Sequence, residues 1–311
     1  MAVLAEAVVE VAVAIKKLIM KKLFLAILFL ESIVAFSQVR YSGFIDVYPI
    51  ELVANISSGS GDGVYAYKKF DIPIYLSGNM ENGILVFVEK DSNGKESATM
   101  TFKNISENTA LTKGIWKDLK TGKEFEITLN KEFEFKYGND TEWKNQEILQ
   151  TGSFKNYYFK LVTVKTKEDY YPRVSGIRIY TKKTDALYQE LNFEGEFRGL
   201  NSIQKGDYNF DGIEDFSVFE ASYAGPNTTS IYYLFDPKTK KYFESEIAGV
   251  SLEFDATTKT ITEHNQCCAG SQHLVMKYKL KNNKMVLTEE HCYKWDEKKQ
   301  DLVEQKIQNC R

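Results

Sequence analysis

A mainly β protein is predicted by three observations. Aromatic residues are abundant, with 19 Tyr and 20 Phe, and they recur with Val, Ile and Thr in runs of four to seven. The runs are separated by short Gly-, Asn- and Asp-rich joints. No amphipathic helix stands out from Val39 to about Trp143. With 311 residues, 43% hydrophobic and 27% charged, the chain is large enough for one or two packed domains. A formal net charge of −3 argues against nucleic acid as the main partner, because phosphate binding favours a basic surface.

The first element reads as an export signal. "MKKLFLAILFLESIVAFSQ" begins at Met20, with Lys21 and Lys22 ahead of the apolar run 23–30. Ala35-Phe36-Ser37 then offers a small-x-small cleavage site before Gln38. The apolar run is too short to span a bilayer comfortably, and no Cys near the cut suggests a lipid anchor. Residues 1–19 fit no signal pattern, so translation is expected to start at Met20 and segment 1–37 to be removed. The mature chain is then periplasmic or secreted, without a membrane span.

Residues 38–146 form the first expected domain. "VYAYKKF", "ILVFVEK", "ATMTFKN", "GIWKDL" and "EFEITL" read as strands, joined by "SGSGDG", "SGNMENG", "KDSNGKE", "ISENTALT" and "KTGK". A small antiparallel barrel or curled sheet follows. The charged stretch 136–147 marks the boundary.

The second domain, 147–311, continues in strands: "NYYFKLVTVKT", "RVSGIRIYTK", "DFSVFEAS", "TSIYYLFD", "LVMKYKLKNN" and "KMVLTEEHCYKWD". Short helical turns are expected around 185–190. Asp236-Pro237 sits at a turn between returning strands. Strands in this order suggest a meander or propeller-like sheet and not a βαβ arrangement.

Within it, "DYNFDGIEDF" carries oxygen donors at calcium-loop spacing. Asp207, Asn209, Asp211 and Asp215 occupy positions 1, 3, 5 and 9, Gly212 serves the sharp turn, and Ile213 offers its backbone carbonyl. Four such side chains on so short a stretch repel unless a hard cation sits among them, and calcium accepts that oxygen set. Position 12 is Val218, where a helix–loop–helix hand needs Glu, so the loop is expected to join or enter strands. The ion is read as structural.

"SYAGPNTTS" follows at 222–230. Gly225-Pro226-Asn227 signals a turn, and Ser222, Tyr223, Asn227, Thr228, Thr229 and Ser230 place hydrogen-bonding groups around it. This is the candidate binding loop, since function tends to ride on loops held by a rigid scaffold.

Cys267, Cys268, Cys292 and Cys310 lie in the last 45 residues. In an exported protein four cysteines suggest two disulfides. Neighbouring Cys267 and Cys268 point to opposite sides of an extended chain, so each is expected to reach a different partner, Cys292 or Cys310, in either order. Their spacing with His264, His273 and His291 matches no zinc pattern.

The order of calcium loop, Gly-Pro hairpin, "YYLFDPKTKKY" and "HNQCCAG" resembles the calcium-binding, lysozyme-inhibitor-like family of exported bacterial proteins, over roughly 174–310. Some members are immunity proteins against secreted peptidoglycan-cleaving effectors. The resemblance implies a propeller-like or sandwich-like β fold with bound calcium, and a loop that blocks a glycosidase cleft. Residues 39–146 lie outside the pattern.

No G-x-S-x-G elbow is present, and carboxylate pairs such as Glu194/Glu196 and Glu289/Glu290 read as charges on exposed strand faces. The expected function is therefore an exported, calcium-stabilised binding protein that inhibits a lysozyme-type peptidoglycan hydrolase, and not an enzyme. The alternative is a carbohydrate- or protein-binding module without inhibitory activity.

Overall fold

The computed structural model describes residues 37–57, 59–103 and 109–310. The export segment, apart from Ser37, lies outside the described residues, as do residues 105–108 of the "ISENTALT" joint. The described chain is nearly all β, without an α-helix among its described residues. No helix among them is long and apolar enough to cross a membrane.

The first eight strands close into an antiparallel barrel. They are β1 (Ser37–Ile45), β2 (Tyr48–Ser57), β3 (Ser60–Tyr67), β4 (Ile74–Glu81), β5 (Ile84–Lys90), β6 (Glu96–Lys103), β7 (Leu111–Asp118) and β8 (Glu124–Phe135). Each pairs with the next, and β8 returns to β1 through pairs from Gln38↔Phe135 to Ile45↔Ile127. Side chains alternate across the wall, as strand geometry requires. Tyr41, Leu52, Tyr65, Leu76, Phe87 and Phe102 are among those that fill the interior.

Two joints read from composition belong mostly to strands. Gly61, Asp62 and Gly63 lie inside β3, and 77–81 lie inside β4. Gly78 is needed there for space: a Cβ would stand 2.6 Å from the Val86 carbonyl oxygen and 2.7 Å from the Phe87 ring. The true turn is Asn82-Gly83, both left-handed (φ 51° and 76°), the geometry of a two-residue hairpin.

Three sheets follow among the described residues, each an antiparallel meander. The first contains β9 (Trp143–Ser153), β10 (Tyr157–Lys165), β11 (Arg173–Thr181) and β12 (Ala186–Glu196). The second contains β13 (Ile203–Gly206), β14 (Asp215–Ser222), β15 (Thr228–Asp236) and β16 (Lys241–Glu244). The third contains β17 (Leu252–Asp255), β18 (Thr260–Cys267), β19 (Gln272–Lys281), β20 (Lys284–Asp296) and β21 (Asp301–Gln305). The second half is thus a succession of antiparallel meanders among the described residues.

Two further expectations change. The helical turns around 185–190 are a strand: β12 pairs with β11 from Thr181↔Ala186 onward, so pairing overrides local preference. The division at 146/147 falls inside β9. The two halves also share a core, because Val53, Val64, Ala66 and Phe135 of the barrel pack with Trp143, Phe159, Ile177, Phe193 and Phe216. Phe135 meets Trp143 edge-on and stacks on Phe197.

Candidate functional site

The proposed calcium loop is the connection between β13 and β14, closed at its base by Gly206↔Asp215. Asp207, Asn209, Asp211 and Asp215 carry side-chain oxygens, and Tyr208 and Phe210, between the first three of them, carry aromatic rings. Tyr208 and Phe210 are buried in a core with Tyr232, Leu234, Ile247 and Ile261, and Tyr208 meets Tyr232 and Phe254 edge-on. Phe210 takes a left-handed conformation (φ 62°), and its carbonyl accepts from Lys259 Nζ at 3.1 Å. Tyr208 and Phe210 therefore anchor the loop in a core built from the second and third sheets.

Asp207 accepts from the amides of Asp211 (3.0 Å) and Gly212 (2.8 Å). Asn209 Oδ1 accepts from the Asp211 amide, and Asn209 Nδ2 donates to Asp211 Oδ2. Asp211 Oδ1 accepts from the Ile213 amide. Gly212 is left-handed at φ 86° with open space around it, as the sharp turn requires. Asp215 is fully buried and accepts from the amides of Tyr208 and Phe235. Burial, then the charges of Asp211 and Asp207, push its carboxyl up to about 6 against those two amide bonds. Among the described residues, no three His, Cys, Asp or Glu side chains form a metal-holding group. The donor set named by the spacing is mixed, since it adds the Asn209 amide oxygen and the Ile213 carbonyl to three carboxylates. Its chemistry, all oxygen with one carboxylate buried beside two others, fits a hard divalent cation.

The candidate binding loop resolves into a short tip. Ser222 ends β14, and Thr228, Thr229 and Ser230 begin β15, so these residues belong to paired strands. The tip is 223–227, closed by a Tyr223 amide bond to the Asn227 carbonyl at 2.9 Å. Tyr223 is 56% exposed. Asn227, expected to face a partner, is buried instead. Its Nδ2 donates to the Gln266 carbonyl (2.7 Å) and its Oδ1 accepts from the Gln266 amide (3.0 Å). Ser251 adds a second tie: its Oγ accepts from the Thr228 amide and its own amide donates to the Thr228 carbonyl.

The Asn227 clamp brings the tip against the paired cysteines. Ala224, Gly225 and Pro226 from one side and Gln266, Cys267, Cys268, Ala269 and Gly270 from the other line a cleft of about 270 Å³. The expected cysteine pairing does not occur. Cys292, on β20, is joined to Cys310. Cys267 and Cys268 face each other, sulfur to sulfur at 2.9 Å. The opposite-sides argument fails because Cys268 is not extended: its φ is 56°, and the chain kinks there. The Cys267 thiol is held above its ordinary range, first by its hydrogen bond to Cys268 and then by burial and the Cys268 charge.

The histidines hold local contacts. His273 Nε2 lies 3.0 Å from the Gly270 carbonyl, and His291 bridges Glu304 and Glu289. Glu289 also pairs with Lys277, and Glu196 accepts from the Ser222 amide.

A second polar group was invisible to local spacing. Glu51, Lys68, Asp71, Glu147, Tyr158, Lys160, Tyr180 and Asp185 line a cleft of about 240 Å³. Lys160 meets Glu51 at 2.6 Å, Arg178 meets Glu147 at 2.7 Å, and Tyr158 donates to Asp185. Burial, then the neighbouring Asp185 charge, raise Asp71, while the Lys183 amide bond lowers it. Glu51 and Lys160 lie 109 residues apart in sequence, so only the fold brings them together.

No known family model matches the chain, and no curated protein matches it. Among solved structures, it is similar to the β-propeller domain of the Trilobed protease from Pyrococcus furiosus, described as having an open velcro topology. Identity is 11%, the match covers 86% of this chain and 71% of that one, and the TM-score is 0.22.

Proposed function

We propose that the protein is an exported, calcium-stabilised binding protein that meets its partner with the tip 223–227 and the adjoining turn 267–270, and that the partner is a lysozyme-type peptidoglycan hydrolase. The observation that carries this reading is the Asn227 clamp. It fixes two loops side by side and leaves Tyr223 exposed at the edge of the cleft they form. A tip already fixed loses little entropy on binding, and an exposed Tyr on a stiff projection is the kind of residue that dominates interfaces. The polar groups of a glycosidase cleft would meet the Tyr223 hydroxyl.

Calcium is assigned to Asp207, Asn209, Asp211, the Ile213 carbonyl and Asp215. The ion would neutralise the carboxylates that crowd Asp215 and stiffen the hairpin leading to the tip through β14. Export is supported by the signal-like segment and by the Cys292–Cys310 disulfide, a bond that persists in oxidising compartments. The hydrolase comes from the family resemblance, and no catalytic role is assigned to any residue.

The test is clearing of a peptidoglycan suspension by lysozyme-type hydrolases, with and without the protein. Wild type is expected to slow clearing, and Tyr223→Ala to weaken inhibition by about 30-fold, a hot-spot loss of about 2 kcal/mol. Unchanged clearing across a panel of such hydrolases would remove the hydrolase from the reading. Full inhibition by Tyr223→Ala would move the contact surface off the tip.

A further inference from the structure

The cysteines at the mouth of the cleft stand in an unusual arrangement for neighbours. Adjacent side chains on an extended strand diverge. Here β18 stays extended through Cys267 (φ −135°, ψ −179°), and then Cys268, Ala269 and Gly270 take three successive left-handed conformations (φ 56°, 56° and 81°). That reversal brings both sulfurs to one side, 2.9 Å apart and exposed.

A left-handed backbone is unfavourable for residues with a Cβ, so it persists only where surroundings impose it. Five hydrogen bonds impose it here. Ser271 donates to the Cys268 carbonyl through both its amide (3.2 Å) and its hydroxyl (2.7 Å). The Trp295 amide holds the Ser271 carbonyl at 2.8 Å. On the other flank, Asn227 holds the Gln266 backbone. The thiol pair is therefore built into the turn and does not arise from two mobile side chains.

We propose that Cys267 and Cys268 are a reversible dithiol–disulfide couple in the wall of the cleft, closed by thiol–disulfide exchange with a small disulfide oxidant and reopened by a thiol reductant. One cysteine thiolate attacks a sulfur of R–S–S–R, forms a mixed disulfide and releases R–S⁻, which takes up a proton. The second cysteine loses its proton, attacks the protein sulfur of that mixed disulfide and expels the second R–SH. In sum, two protein thiols and one R–S–S–R give one Cys267–Cys268 disulfide and two R–SH. The second step is fast because the attacking sulfur already lies beside its target. Cys292–Cys310 is set apart from this chemistry by access, since Cys292 is only 1% exposed. The couple stands whatever partner the cleft takes.

The experiment uses the full folded chain. It is incubated with oxidised glutathione, quenched in acid, denatured, alkylated and mapped by peptide mass. The peptide holding 267 and 268 is expected unalkylated and two hydrogen masses lighter, with no glutathione attached. Brief treatment with dithiothreitol before denaturation should then expose 267 and 268 to alkylation about tenfold faster or more than 292 and 310, in line with their accessibility. In Cys268→Ser, Cys267 should instead retain glutathione as a mixed disulfide. The proposal is overturned if both wild-type thiols still alkylate after oxidised glutathione, if glutathione stays attached to either, or if either is found joined to Cys292 or Cys310. The wild-type arm decides the matter even if the variant does not fold.

Discussion

Asn227 makes the two backbone bonds that a neighbouring strand residue would make, one given and one accepted, on the same residue, Gln266. Its amide is therefore part of the scaffold, while Tyr223, four residues earlier, is free to touch a partner. Asn227→Ala leaves the part-buried carbonyl and amide of Gln266 without their partner, so it should lower stability by about 1–2 kcal/mol. Tyr223→Ala should leave the urea midpoint nearly unchanged. Equal midpoints for Asn227→Ala and wild type would mean that the clamp contributes nothing. From composition alone, Asn227 and Tyr223 looked alike, as polar groups around a Gly-Pro turn. What separates them is Gln266, almost forty residues away, which local spacing does not report. The same limit hid the cysteine geometry: neighbours diverge on an extended chain, and nothing in "QCCAG" alone announces that Ser271, Trp295 and Asn227 bend it.

Across β9, β10 and β11 a polar ladder ties the first sheet together. Glu147 accepts from Arg178 Nη1 and the Tyr180 hydroxyl, with Lys160 nearby. Burial works to raise the Glu147 carboxyl, but the bonds from Tyr180 and Arg178 and the two positive charges outweigh it and hold it below its ordinary value. A carboxylate with a depressed folded-state pKa adds stability above its unfolded pKa and loses it as pH falls through the folded value. Glu147→Gln should therefore cost about 1–3 kcal/mol near neutral pH, and the gap to wild type should close as pH drops below about 4.5. A gap that is constant from pH 7 to pH 3, measured by urea unfolding, would contradict the ladder. At this scale much was legible. The runs 84–90, 215–222 and 284–296 are strands with the bounds their composition marks. Glycine misled where it serves packing: Gly78 reads as a turn residue, yet it admits the Phe87 ring inside the barrel. Substituting Gly78→Ala should overpack that contact and cost about 1–3 kcal/mol. An unchanged melting temperature would show that the wall gives way freely.

The whole molecule depends on long-range joins. The barrel closes only when β8 finds β1, and its outer face shares a core with the first two following sheets. Closure leaves no local mark, which is why barrel and curled sheet stayed equivalent in sequence, and why the boundary was placed inside β9. The spacing of Asp207, Asn209, Asp211 and Asp215, in contrast, lies within nine residues and can be read locally. Its structural counterpart, the burial of Tyr208 and Phe210, anchors the loop to the core and links any ion there to global stability. The decisive measurement is thermal unfolding of wild type and Asp207→Ala/Asp211→Ala in calcium and in chelator. Asp215 is left intact because it caps two buried amides. An ion bound only by the folded state at a hundredfold excess over Kd adds about 2.7 kcal/mol. Wild type should melt several degrees lower in chelator, while the double variant should melt at or below that temperature and ignore calcium. Superimposed wild-type curves in calcium and chelator would contradict the assignment of an ion to this loop.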